Sequence, residues 1–201
     1  MAQGSRRASE SIPESAGGSI EEGVRMDRPV QIVEYDPCWP VVFGRLAAVI
    51  REGLGPLLLR IEHVGSTAVP GLPAKPIVDM DAVIPAGADP ADAIAALRSL
   101  GYTHEGDLGI PGREAFAAPE GTPEHHLYVC AADSPELARH VAFRDFLRAH
   151  PGSARRYGEL KRELASRHRG DRSAYTDGKS AFVSSTLVQA YDEARRTSGG
   201  S

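Results

Sequence analysis

Apolar residues recur along this chain at two spacings, and the switching between them predicts a mixed order of helices and strands. Trp39, Phe43, Leu46, Ile50 and Leu54 fall at helical spacing, the mark of an amphipathic helix. Asp36-Pro37 signals its start, because Asp caps free N–H groups and Pro is tolerated in a first turn. Gly53 and Gly55-Pro56 stop it. Trp39 therefore reads as a core anchor. Short apolar runs predict strands at Val30–Val33, Leu57–Val64 and Ile77–Ile84. Asp89-Pro90 opens a second helix with Ile94, Leu97 and Leu100 inward. Further strands are expected at Tyr102–Glu105, Arg113–Ala118 and His126–Ala131. The last third reads as helices over Pro135–Ala149, Ser153–Arg167 and Ser180–Ala194, punctuated by Pro151-Gly152 and Gly170. Most charges on the first two of these read as a solvated face.

The ends lack this periodicity. Residues 1–27 are rich in Ser, Gly, Glu and Arg and read as a disordered extension, with Met26 a candidate for the natural start. One domain is expected over 28–194 and a disordered tail over 195–201. With 201 residues, 41% hydrophobic and 25% charged, the chain has the composition of a soluble globular protein. Its formal charge of -4 argues against a nonspecific nucleic-acid binder. No apolar run approaches the roughly 20 residues that span a bilayer. The N-terminus has no secretory apolar core, and Cys38 and Cys130 fit neither a metal spacing nor a disulfide framework. A reduced, cytoplasmic setting is the expectation.

Chemistry concentrates where the strand ending in Val64 runs into Gly65-Ser66-Thr67 and the next strand carries Asp79-Met80-Asp81. In an extended strand i and i+2 share a face, so Asp79 and Asp81 aim together while Met80, Ala82 and Ile84 line the other side. Two hard oxygen ligands on one strand suit Mg²⁺, which fills its octahedron with water and phosphate. Gly65 adopts backbone angles closed to other residues, turning the next amides toward an anion, and the Ser66 and Thr67 hydroxyls add donors. Taken separately, Gly-Ser is an ordinary turn and Asp-x-Asp an ordinary polar strand face. Their combination, with Lys75 between them, points to a phosphate cradle beside a metal site.

Other candidates lie further along. If Leu127 and Val129 face helices, His126 and Tyr128 share the face of the carboxylates, and His126 becomes a general base or a third ligand. His125 points the other way and reads as structural. Arg113, after a glycine turn, is placed to reach phosphate. Asp177 reads as the cap of the final helix and Lys179, at that helix's N-terminus, as a phosphate contact.

Tyr35-Asp36-Pro37, Trp39-Pro40, the run Ile61–Leu72, Ala74-Lys75-Pro76-Ile77 and Asp79 closely resemble the GrpB family. So do His125-His126-Leu127, Phe143-Arg144-Asp145, Leu147-Arg148 and Tyr175–Lys179, in order over about Val30 to Ala190. The resemblance implies an α+β fold of the nucleotidyltransferase superfamily, with a polymerase-beta-like mixed β-sheet, helices packed against it, a Gly-Ser phosphate loop and a metal-binding Asp-x-Asp. It also implies a third acid on a later strand. Here the matching strand carries His125-His126-Leu127, a departure from the usual two-metal arrangement.

The expected activity is transfer of a nucleoside monophosphate from an NTP to a small acceptor, with Mg²⁺ or Mn²⁺. Asp79 and Asp81 hold the metal, Gly65, Ser66 and Thr67 the phosphates, and Lys75 or Lys179 the triphosphate charge. No nucleic-acid or membrane partner is expected. The competing readings are a nucleotide-binding module that has lost transfer chemistry and a His/Asp metal-dependent phosphohydrolase. Fold membership leaves the substrate open.

Overall fold

A computed structural model describes residues 29–198. The expected disorder over residues 1–27 therefore lies outside the described residues. Helix α1 (Trp39–Leu54) starts at Trp39-Pro40, not at Asp36-Pro37: its N-cap is Cys38 without a side-chain cap bond, and Asp36 Oδ1 accepts from the Cys38 N–H at 2.8 Å in the turn before it. A 3₁₀ turn (Gly55–Leu57) leads into strand β1 (Arg60–Val64), and a second 3₁₀ turn (Ser66–Ala68) follows it. Next come β2 (Val78–Ile84), α2 (Pro90–Ser99), β3 (Thr103–Gly106), β4 (Arg113–Ala117) and β5 (His125–Ala131). Four helices follow among the described residues: α3 (Pro135–Ala149), α4 (Pro151–Arg167), α5 (Arg172–Asp177) and α6 (Ser180–Ser198). Among the described residues no helix is long and apolar enough to cross a membrane.

The sheet order is β1-β2-β5-β4-β3. The β2 and β5 strands pair in parallel and the other neighbours antiparallel, so the sheet is mixed. Strand alternation divides it cleanly. Met80, Ala82 and Ile84 of β2 join Leu127 and Val129 of β5 in a core closed by Leu46, Ile50 and Leu54 of α1 and Leu97 of α2. On the opposite face Val83 and Cys130 pack against Leu137 of α3. A further cluster ties the link after β1 to the C-terminal helices, with Val69 and Leu72 against Phe146, Leu147 and Tyr157.

Three further expectations need correction. Val30–Val33 forms no strand, and only Val33 pairs, through reciprocal N–H···O bonds with Ala74. Pro73 and Pro76 flank that partner, and a residue without an N–H cannot extend a ladder. Asp177 caps nothing: it ends α5, whose N-cap is Asp171, accepting from the Ala174 N–H at 2.9 Å. The final helix also runs through Ser198, past the tail boundary set at 195.

Helix α3 is fastened to the sheet by arginine. Arg144 donates to the Glu62 carboxylate at 2.7 Å and to the His63 carbonyl at 3.0 Å. Arg148 Nε donates to the Ala68 carbonyl at 2.9 Å. These bonds satisfy acceptors at the end of β1 and in the turn after it, which orphaned would cost about 1–3 kcal/mol each. They hold the segment carrying Ser66.

Candidate functional site

The parallel register of β2 and β5 sets Asp79 beside His126 and Asp81 beside Tyr128. Paired residues share a face, so the site is built on the polar side of the sheet. His126 Nδ1 donates to Asp79 Oδ1 at 2.7 Å, and both side chains remain partly exposed, 40% and 30%. The nearer ring nitrogen of His126 is thus spent on orienting Asp79.

Gly65 brings the turn to the same carboxylate. Its φ of 67° lies in the left-handed region, and a Cβ there would collide with Asp79 Oδ2. Both the angle and the close approach demand glycine. The 3₁₀ turn then directs its two hydroxyls apart. Ser66 Oγ accepts from Lys161 Nζ at 2.8 Å. Thr67 is buried, and its hydroxyl bonds His63 Nε2 at 3.0 Å. Thr67 therefore supports the turn from beneath and does not join the cradle. The His63 ring, stacked on Phe43, is pushed down to about 4 by burial and by nearby arginines, so it is neutral at pH 7.

Lysines collect around this turn. Lys161, on α4, is 2% exposed and lies 4.7 Å from the Tyr157 ring centre. Burial first and the Lys179 charge second push its ammonium down to about 7. Lys75 and Lys179 both sit over the Tyr175 ring, at 4.9 and 4.6 Å. Burial and Lys75 lower Lys179 to about 8, while burial and Arg172 lower Lys75. Asp79 opposes each of these shifts. Burial first and neighbouring cations second hold all three amines below their ordinary values, a setting in which a bound anion would gain most.

Asp81 is in a different setting. It is 0% exposed, with Oδ2 accepting from His140 Nδ1 of α3 at 2.8 Å. The other ring nitrogen of His140 lies 3.1 Å from Glu136 Oε1. Two carboxylates on one imidazole favour its doubly protonated form, and they hold the His140 proton above the usual range although burial opposes this. Burial raises Asp81 despite the His140 bond. Asp81 Oδ1 is buried with no hydrogen-bond partner. Arg113 is on the same face, its guanidinium 4.4 Å from the Tyr128 ring centre. His125 is structural, as expected. Its Nδ1 donates to the Pro123 carbonyl at 2.7 Å and its Nε2 lies 2.8 Å from the Tyr102 hydroxyl.

An orphaned buried carboxylate oxygen and a second carboxylate on the same strand face are a donor set that fits a hard cation. Among the described residues no three His, Cys, Asp or Glu side chains are arranged to hold a metal ion. A cation here would have to rely on Asp79, Asp81 and its own water or phosphate ligands, because His126 is not gathered with them as a third ligand. The sequence reading missed Lys161 and His140. Lys161 interrupts an apolar helical stripe between Tyr157 and Leu164, and His140 lies between Glu136 and Arg144 on a face of α3 whose charges turn toward the sheet.

The family model of the GrpB protein matches residues 29–189. The chain belongs to the GrpB family. A UPF0157 protein of Pseudomonas aeruginosa is 41% identical over 170 residues, covering 82% of this chain and 69% of that protein. The crystal structure of GrpB from Enterococcus faecalis superposes with a TM-score of 0.75 at 32% identity, covering 82% of this chain and 99% of that one. The Cid1 poly(U) polymerase shares the fold alone, with a TM-score of 0.51 at 10% identity over 68% of this chain and 45% of the polymerase. The GrpB fold seen here is thus a nucleotidyltransferase-like α+β fold, as the resemblance implied.

Proposed function

We propose that the chain transfers a nucleoside monophosphate from an NTP to a small acceptor, with Mg²⁺ or Mn²⁺ on Asp79 and Asp81. The carrying observation is the approach of the Gly65 backbone to the Asp79 carboxylate, with Lys161 bonded to the very next side chain. Anion cradle and carboxylate pair thereby form one site. The Cid1 polymerase is described with MgATP bound, which motivates a nucleotide as the anion.

The triphosphate is received by the amides after Gly65, by Ser66 Oγ, and by the ammonium groups of Lys161, Lys179 and Lys75. Arg113 adds a guanidinium on the same face. The cation, when bound, supplies positive charge to the phosphates as pyrophosphate leaves. His126 fixes the orientation of Asp79 through Nδ1 and keeps Nε2 for the proton of the acceptor hydroxyl. The acceptor oxygen attacks the α-phosphorus, and the bond to pyrophosphate breaks.

A nucleotide-binding module without transfer chemistry is favoured by one observation: Asp81 is sealed under His140, and β5 carries no acid. Incubating the chain with each NTP, Mg²⁺ or Mn²⁺ and a cell extract, while following pyrophosphate and labelled products, separates the readings. Transfer predicts pyrophosphate with a labelled product, both abolished by Asp79→Asn. Nucleotide binding without either product assigns the module, and release of inorganic phosphate alone contradicts both.

A further inference from the structure

Two motifs of the sequence take no part in the cradle, Pro70-Gly71 in the link after the Ser66–Ala68 turn and Leu147-Arg148 at the end of α3. They meet at a cavity of about 660 Å³. Pro70 and Leu147 give it apolar walls, and Arg148 of α3 converges there with Arg155 and Arg162 of α4. The single carboxylate in the lining is Glu34, which is taken by Arg162.

The other two guanidiniums are poorly compensated. Arg155 has no ion-pair partner among the described residues. Arg148 spends Nε on the Ala68 carbonyl, and its Nη1 lies 3.6 Å from Asp145, a carboxylate already engaged by Arg144 at 2.7 Å. Burial and then the Arg144 charge push the Arg148 guanidinium below its ordinary value. Forked donors from two helices, facing one concave space with apolar walls, match a small molecule with a doubly charged head.

We propose that this groove binds a small dianion, a phosphate monoester or a dicarboxylate on an apolar body. None of its lining residues belongs to the cradle, so the groove stands or falls separately from the nucleotide reading. Arg148 nevertheless ties it to the turn that carries Ser66.

Calorimetric titration of the full chain at low salt with phenyl phosphate, and separately with phthalate, tests the proposal. One saturable site for at least one probe is expected, and the probe that binds names the head group. Arg155→Gln, an exposed change, should weaken that site at least about tenfold, the loss of one charge-assisted fork. Lys179→Gln, in the cradle, should leave it within about twofold. The proposal is overturned if neither probe saturates, if Arg155→Gln binds as the parent does, or if Lys179→Gln weakens binding as much as Arg155→Gln.

Discussion

The two faces of one sheet have been put to opposite uses. On the face under α1 and α2, Met80, Ala82 and Leu127 are fully buried among aliphatic side chains, and what the residues contribute is packing. On the other face, one residue along the same strands, Asp79, Asp81, His126 and Tyr128 meet helices that bring His140, Arg144 and Lys161. Burial there is costly, and it is tolerated because each charge is paired or, for Asp81 Oδ1 and the lysines, held short of a partner. The apolar face carries stability. The polar face gives some of it up to hold charged and unpaired groups together, which is what the proposed nucleotide and cation would use.

The largest expected effect breaks the apolar face alone. Met80→Ala should cost about 2–5 kcal/mol in urea unfolding, because a fully buried side chain leaves a cavity beneath α1. Nucleotide affinity per folded molecule should stay within about twofold, and a larger loss would mean that the two faces are not separable.

Lys161→Met should do the reverse, raising stability by about 1 kcal/mol or more while weakening nucleotide binding about tenfold. The sign follows from linkage. With its folded value at about 7 and its ordinary value at 10.5, Lys161 binds more proton in the unfolded chain across that window. Parent stability therefore rises with pH from about 7 to 10.5, and the variant should lack that contribution. A melting series from pH 6 to 10 on both proteins checks the slope. Nucleotide affinity should run oppositely, flat below about 7 and falling above it as Lys161 and then Lys179, at about 8, lose charge.

The smallest effect sharpens the boundary between cradle and support. Thr67→Val removes the hydroxyl bonded to His63 and should cost roughly 1–2 kcal/mol of stability. Nucleotide affinity should hold. A loss comparable to that of Lys161→Met would return Thr67 to the cradle.

Much of this division was legible from alternation alone. Period-two spacing placed Asp79 and Asp81 together and Met80 opposite, and the parallel pairing of β5 brought His126 to the same face. The helix start at Asp89-Pro90 was readable because a capping carboxylate and a proline act locally, whereas Asp36-Pro37 marks only the turn before α1, which opens at Trp39-Pro40. Lys161, Arg144 and His140 were not, since a charge on a helix ordinarily marks the solvated side and only tertiary contact reveals the exception. Their partners Ser66, Glu62 and Asp81 lie far away in sequence, on the β1–β2 segment. Asp171 was missed as a cap because the six-residue helix α5 that it opens is too short to show an apolar period and was not expected at all.

In the proposed function the turn at Gly65 and the carboxylate of Asp79 are one site for a nucleotide and a divalent cation. Calorimetry of NTP binding with and without Mg²⁺ tests it on the parent chain and on Asp79→Asn, which keeps the side-chain shape while removing the charge. Mg²⁺ should tighten nucleotide binding to the parent by about tenfold or more and give no such gain in Asp79→Asn. An equal Mg²⁺ dependence in both proteins, with Asp79→Asn folded, would contradict it.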